Sequence, residues 1–221
     1  MNITQINCNL KNYEKTNNRD INYIVLHYTA NKNDTARNNG IYFKNNVVNA
    51  SAHYFVDNRE IIQSVSDNDV AWHCGGKAYK HKYCRNINSI GVEMCTSYDS
   101  GKYYIDLITL NNTIELVANL MKKYNIPIEN VVRHYDVTGK KCPLPYVNGT
   151  QDFNKLKETI KREVEIMEIK QLKIKYDGDI YSLDSVNIDG YNYVQLRDIL
   201  EMLNLNLEIK YNSNDKTVEL K

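Results

Sequence analysis

The sequence predicts an α/β or α+β layer fold built on a central β-sheet, followed by a small α+β domain. Three observations carry this. Short β-branched, apolar runs alternate with helical stripes as far as Met167, as in folds that cover a sheet with helices. The stripes recur at helical spacing and end at cap or proline signals. Beyond them come short strands separated by Asp-Gly and Asn-rich turns, the mark of a separate module. The division falls at residues 1–168 and 169–221, and the first part is long enough to bury a core of its own.

In chain order, Ile21 to Thr29 (INYIVLHYT) is predicted as a buried strand ending near His27, and Ser51 to Val56 (SAHYFV) as a second. Ile90 to Met94 (IGVEM) is a third and Asn130 to His134 a fourth. Leu110, Ile114, Val117 and Met121 share one helix face, which Ile126-Pro127 ends. Phe153, Leu156, Ile160, Val164 and Met167 form a second stripe with Asp152 as its cap. In the tail, Asp177-Gly178 and Asp189-Gly190 signal hairpins, Val194 to Leu203 a helix, and Leu207 to Leu220 a hairpin around Asn212-Ser213-Asn214-Asp215.

Composition narrows the function classes. The net charge is +1, and no basic stripe of a nucleic-acid binder is present. The 18 tyrosines are scattered and fit core and surface roles better than stacking platforms. The polar N-terminal segment lacks an apolar stretch of signal-peptide length, and no apolar run reaches a membrane span; synthesis in the cytoplasm with no membrane partner is the expectation. The five cysteines are an odd number without paired CxxC spacing, so disulfides and a closed structural zinc site are not indicated.

His134 and Cys142 stand eight residues apart in RHYDVTGKKCP. Such a pair can bind metal, act as thiol nucleophile with its base, or be ordinary core. His27 also ends a predicted strand, and sites in sheet-centred folds gather beyond strand ends. Two imidazoles and one thiolate would suit an open tetrahedral zinc site whose fourth position holds water, which makes hydrolysis the natural reaction class.

VLHYTA, SAHYFVD, AWHCGG, IGVEM and RHYDVTGKKCP follow one another in order. Together, over roughly residues 20 to 165, they resemble the zinc-dependent N-acetylmuramoyl-L-alanine amidases of the type shared by phage endolysins, bacterial autolysins and peptidoglycan recognition proteins. The resemblance implies a central mixed β-sheet flanked by helices and a Zn2+ site on His27, His134 and Cys142. It implies Glu93 as proton carrier and Lys140 as the cation at the developing oxyanion. His53, where relatives carry tyrosine or histidine, and Trp72 and His73 are assigned to the wall of the substrate groove. The implied activity is a peptidoglycan hydrolase that cleaves the amide between N-acetylmuramic acid and the L-alanine of the stem peptide. A non-catalytic peptidoglycan-binding module shares the fold, but such members typically lack the cysteine. A cysteine peptidase on Cys142 and His134 would leave His27 and Glu93 without roles. The tail, with IDGYNYVQLRDILEMLNLNLEI, resembles a small stalk-type domain of bacterial surface proteins, which implies wall binding or pairing of two chains. An endolysin made in the host cytoplasm and acting on the cell wall after release is the expectation.

Overall fold

In the computed structural model, which describes residues 3–16, 18–166, 169–176, 179–188, 191–204, 209–212 and 217–220, the chain divides into two compact units, Met1–Glu163 and Val164–Lys221. The first contains β1 (Ile3–Gln5), β2 (Tyr13–Glu14), β3 (Tyr23–Tyr28), α1 (Ala36–Asn45), β4 (Tyr54–Val56), β5 (Ile61–Gln63) and β6 (Val70–Ala71). It continues through β7 (Ser89–Met94), β8 (Ser97–Asp99), β9 (Lys102–Tyr104), α2 (Leu107–Tyr124), β10 (Val131–Arg133) and α3 (His134–Thr138), and α4 (Phe153–Ile166) begins in it.

Six strands form a mixed sheet in the order β1-β5-β4-β7-β3-β10. β4, β7, β3 and β10 run parallel, and β5 turns back against β4. The inner strands β3 and β7 read as almost unbroken apolar runs because a parallel strand covered on both faces has no solvent side. Ile24, Val25, Leu26, Ile90 and Val92 are accordingly all fully enclosed. Within this register His27 lies beside Glu93, and Glu93 beside Phe55. A histidine and a carboxylate therefore share one row across an apolar sheet.

α2 forms where the apolar stripe predicts it. Asp106 caps it by accepting from the backbone N–H groups of Ile108 and Thr109, and Asn125 closes it in the left-handed region. α4 begins at the expected cap, the Asp152 carboxylate accepting from the N–H groups of Asn154 and Lys155. Leu156 and Ile160 are buried on it.

α1 is not among the elements the sequence predicted. Its buried positions are Ala36, Asn39 and Gly40, and a Cβ at Gly40 would come within 2.8 Å of Ile62 Cγ2. Close approach through small residues leaves no hydropathic stripe to detect. The fourth predicted strand also stops one residue early, at Arg133, and His134 opens the five-residue α3.

In the second unit β11 (Ile169–Tyr176), β12 (Asp179–Ile188) and β13 (Tyr191–Val194) form an antiparallel meander. α5 (Leu196–Met202) follows, with Leu183 of β12 and Leu200 of α5 both buried. β14 (Ile209–Asn212) pairs with β15 (Thr217–Leu220). Val194 ends a strand and does not begin the helix. The turn residues Asp177-Gly178, Asp189-Gly190 and Ser213-Asn214-Asp215, and Met167 of the α4 stripe, lie outside the described residues.

Candidate active site

The site forms where β3 and β10 end side by side. His27 is the penultimate residue of β3, and His134 follows directly on β10. Two local devices set His134. The Asp136 carboxylate accepts from the Arg133 backbone N–H at 2.9 Å and takes the Arg133 guanidinium with both oxygens, at 3.0 and 2.7 Å. The same guanidinium donates to the Tyr146 carbonyl at 2.6 Å, tying the segment after Cys142 to the helix start. At the other end Gly139 (φ +84°) terminates α3 in the left-handed region, its N–H reaching the Tyr135 carbonyl. The chain then turns back, and the Tyr135 N–H donates to the Cys142 carbonyl at 2.8 Å. The thiol is thereby returned to the imidazole eight positions earlier.

One donor atom from each of His27, His134 and Cys142 lies within 4.8 Å of the other two, and all three residues are buried. Cys142 Sγ is 3.7 Å from His27 Nδ1, and the rings of His27 and His134 meet edge to face at 4.7 Å. Neither ring nitrogen of His134 has a hydrogen-bond partner among the described residues, although both are shielded from water. An enclosed imidazole without a partner is costly, and a ligated metal resolves that cost. The donor set, two imidazole nitrogens and one sulfur, suits zinc. The residues therefore fit the ion.

The electrostatics disfavour a thiol nucleophile. Burial pushes the Cys142 thiol up to about 12, with the nearby Glu93 adding to the effect. Burial, aided by the Lys140 charge, holds His134 down at about 4. A cysteine nucleophile needs the opposite, a lowered thiol beside an imidazole able to hold a proton. His27 is also held well below its ordinary value by burial and its histidine neighbours. Neutral imidazoles are ready to coordinate.

Glu93 Oε1 stands 3.9 Å from His27 Nδ1, and Oε2 has no hydrogen-bond partner among the described residues. Burial raises this carboxyl to about 7, against the pull of the Lys140 charge. Lys140 is exposed on the loop between α3 and Cys142. A cavity of about 590 Å³ opens beside Glu93, lined also by Asn31, Asp34, Asn38, Tyr42 and Phe55. Sequence reasoning passed over Asn38 and Tyr42 of α1 because the helix itself was not evident.

The expected groove residues separate. His53 is 0 % exposed. Its Nδ1 accepts from the Gly91 N–H at 3.0 Å, and Nε2 lies 3.1 Å from the Asp69 carbonyl. Two backbone partners and complete enclosure hold it between Gly91 of β7 and the turn before β6, outside the lining of the cavity beside Glu93. His73 is half-buried and lies against His27, Nδ1 to Nε2 at 3.1 Å, so it backs that imidazole. Trp72 is half-buried, and its backbone N–H donates to Ser51 Oγ at 2.9 Å; neither observation puts its indole in the cavity.

A family profile described as N-acetylmuramoyl-L-alanine amidase matches residues 17–145. The chain is 40 % identical over 153 residues to N-acetylmuramoyl-L-alanine amidase BlyA of Bacillus subtilis (strain 168), covering 63 % of this chain and 41 % of BlyA. It is 37 % identical over 146 residues to N-acetylmuramoyl-L-alanine amidase CwlL of Bacillus licheniformis, covering 62 % and 40 %. The chain thus matches about two fifths of the length of these relatives. Among solved structures, PlyL superposes with a TM-score of 0.61 at 30 % identity, over 72 % of this chain and 97 % of that one. The PlyG catalytic domain does so with 0.62 at 29 %, over 74 % and 96 %.

Proposed function

Since the chain belongs to the N-acetylmuramoyl-L-alanine amidase family, we propose that it is a zinc-dependent peptidoglycan hydrolase cleaving the amide between N-acetylmuramic acid and the L-alanine of the stem peptide. The observation that carries the reading is the convergence of His27, His134 and Cys142 within 4.8 Å, with both nitrogens of His134 enclosed and unpartnered among the described residues. Zinc bound there supplies Lewis acidity toward the scissile carbonyl and makes water a nucleophile near neutral pH.

The protein's own groups do the rest. Glu93 takes a proton from the attacking water at Oε2, the oxygen without a partner among the described residues. It returns that proton to the alanine nitrogen as the carbon–nitrogen bond breaks. A carboxyl raised to about 7 can hold and release a proton at neutral pH. The Lys140 ammonium, close enough to lower Glu93, His27 and His134, balances negative charge developing on the carbonyl oxygen. The cavity beside Glu93 receives the substrate. The second unit adds a wall contact or joins two chains, and it brings no further histidine or cysteine. No helix among the described residues is long and apolar enough to cross a membrane.

The test is chemical. On purified cell walls the enzyme should release new L-alanine amino groups without new reducing sugar ends, lose this on chelation and regain it with zinc. Undiminished release from metal-free protein would overturn the zinc reading, and reducing ends alone would overturn the bond assignment.

A further inference from the structure

The histidine that backs His27 has partners of its own, and they form a directed chain. Ser89 Oγ lies 2.6 Å from the Arg85 carbonyl oxygen. A carbonyl can only accept, so the serine proton points there. Ser89 Oγ is also 3.2 Å from His73 Nε2; with its proton committed, it accepts, and His73 carries its proton on Nε2. His73 Nδ1 then has a free lone pair, and it sits 3.1 Å from His27 Nε2, which must donate. His27 is thereby the tautomer protonated on Nε2, and its bare Nδ1 is the nitrogen that faces Cys142 Sγ at 3.7 Å.

The opposite polarity would turn the serine proton toward His73 and leave two oxygen lone pairs facing each other across 2.6 Å at Arg85. It would also place a proton on His27 Nδ1, the nitrogen beside the Cys142 sulfur and the Glu93 carboxyl, and so block it as a metal donor. The strand is shaped for the first arrangement. Ser89, Gly91 and Glu93 alternate along β7 and so share one face. A Cβ on Gly91 would come within 2.5 Å of the His73 ring, so the glycine lets the imidazole lie directly on the strand. The Asn86 side chain accepts from the His73 backbone N–H at 3.2 Å, fixing the other side of the residue.

We propose that His73, oriented by Ser89 and seated on Gly91, is a positioning residue that locks His27 in its metal-binding tautomer. The inference rests on His27 being a zinc ligand. It also displaces the expectation that His73 contacts substrate. Outer partners of this kind typically change metal affinity 10- to 100-fold.

Two measurements test it. In the metal-free wild-type protein, long-range nitrogen–proton correlation spectra of the imidazoles should show the His27 proton on Nε2 and the His73 proton on Nε2. A proton on His27 Nδ1 would overturn the proposal whether or not zinc binds. Zinc affinity, read by competition with a chromophoric chelator at fixed pH, should fall 10- to 100-fold in His73→Phe, which fills the space but cannot accept. It should recover substantially in His73→Asn, whose Oδ1 can accept from His27. Should His73→Phe fail to fold, Ser89→Ala replaces it; loss of the acceptor for His73 should leave His27 as a mixture of tautomers and weaken zinc several-fold. Unchanged affinity and an unchanged His27 spectrum in a folded variant would overturn the proposal. Failure of the wild-type protein to bind zinc would instead overturn the metal reading, while the tautomer spectrum still decides the polarity of the chain.

Discussion

Cys142 is buried and Glu93 half-buried beside it, and they should respond to substitution in opposite ways. Cys142→Ser replaces a soft ligand with a hard one; zinc content should fall well below one per chain and wall hydrolysis should be lost while the fold persists. Metal analysis beside circular dichroism checks this, and an active, zinc-loaded variant would make Cys142 a bystander. Glu93→Gln keeps the shape and loses the proton carrier, so turnover should drop roughly 10²- to 10⁴-fold with zinc retained. The same change should stabilise the metal-free protein. Burial raises the carboxyl from 4.5 to about 7, so between those values the folded state holds the proton more tightly and stability falls as pH rises. The penalty is complete above pH 7. Glu93→Gln should therefore melt higher than wild type at pH 8, by about 1 to 3 kcal/mol, and alike at pH 4; equal melting at pH 8 would refute the burial cost. The convergence of His27, His134 and Cys142 was legible in the sequence because strand-end histidines and the order of the five motifs pointed to it together. The roles of His53 and His73 were not, since each is decided by atoms 16 to 46 positions away.

At the scale of elements, β7 and α3 do most of the positioning. β7 offers Ser89, Gly91 and Glu93 on one face: the first bonds to His73, the second leaves room for its ring, and the third borders the cavity. α3 has only five residues, too few to be stable by propensity, so its ends must be held. Asp136→Ala removes the acceptor of the Arg133 N–H and the partner of its guanidinium together. A loss of about 1 to 2 kcal/mol is expected, with weaker zinc binding because His134 loses its fixed entry angle. Urea unfolding and chelator competition measure the two effects; normal zinc affinity in the variant would mean that β10 alone orients His134. α2 and α4 were legible because long apolar stripes, and for α4 an acidic cap, write themselves into sequence. α1 was not, because it packs through Ala36 and Gly40, and α3 was not, because tertiary hydrogen bonds replace the periodicity a predictor needs. β1 and β5, three residues each, are too short to stand out from loop.

For the whole molecule, His27, Glu93, His134 and Cys142 all lie in Met1–Glu163, and the meander with its hairpin lies in Val164–Lys221. A chain ending after Ile166 keeps α4 and every site residue. It should fold, bind zinc and cleave soluble muropeptides at wild-type rates. On intact walls it should be slower, because a linked second contact raises effective concentration without adding chemistry. Equal rates on intact walls, with no binding of the isolated second unit to walls, would exclude tethering; failure of the shortened chain to fold would show the second unit to be part of the catalytic core. Fold class was accessible at this scale because the parallel inner strands demand continuous apolar runs, whereas strand order depends on long-range pairing that no local pattern records.

All five cysteines are free, and none is more than 4 % exposed. They are spread from Cys8, packed with Val65 and Ala71, to Cys95 in the cluster around Phe55, with Cys74 and Cys84 packed against Val25. A thiol-selective dye should therefore find almost nothing to label in the native protein, and its uptake should follow the opening of the catalytic unit as a whole. For a protein whose proposed substrate lies outside the reducing interior of the cell, close packing is also its defence against oxidants. Durability in that setting is a property of the core, and any substitution that loosens the core should shorten working life before it lowers the initial rate.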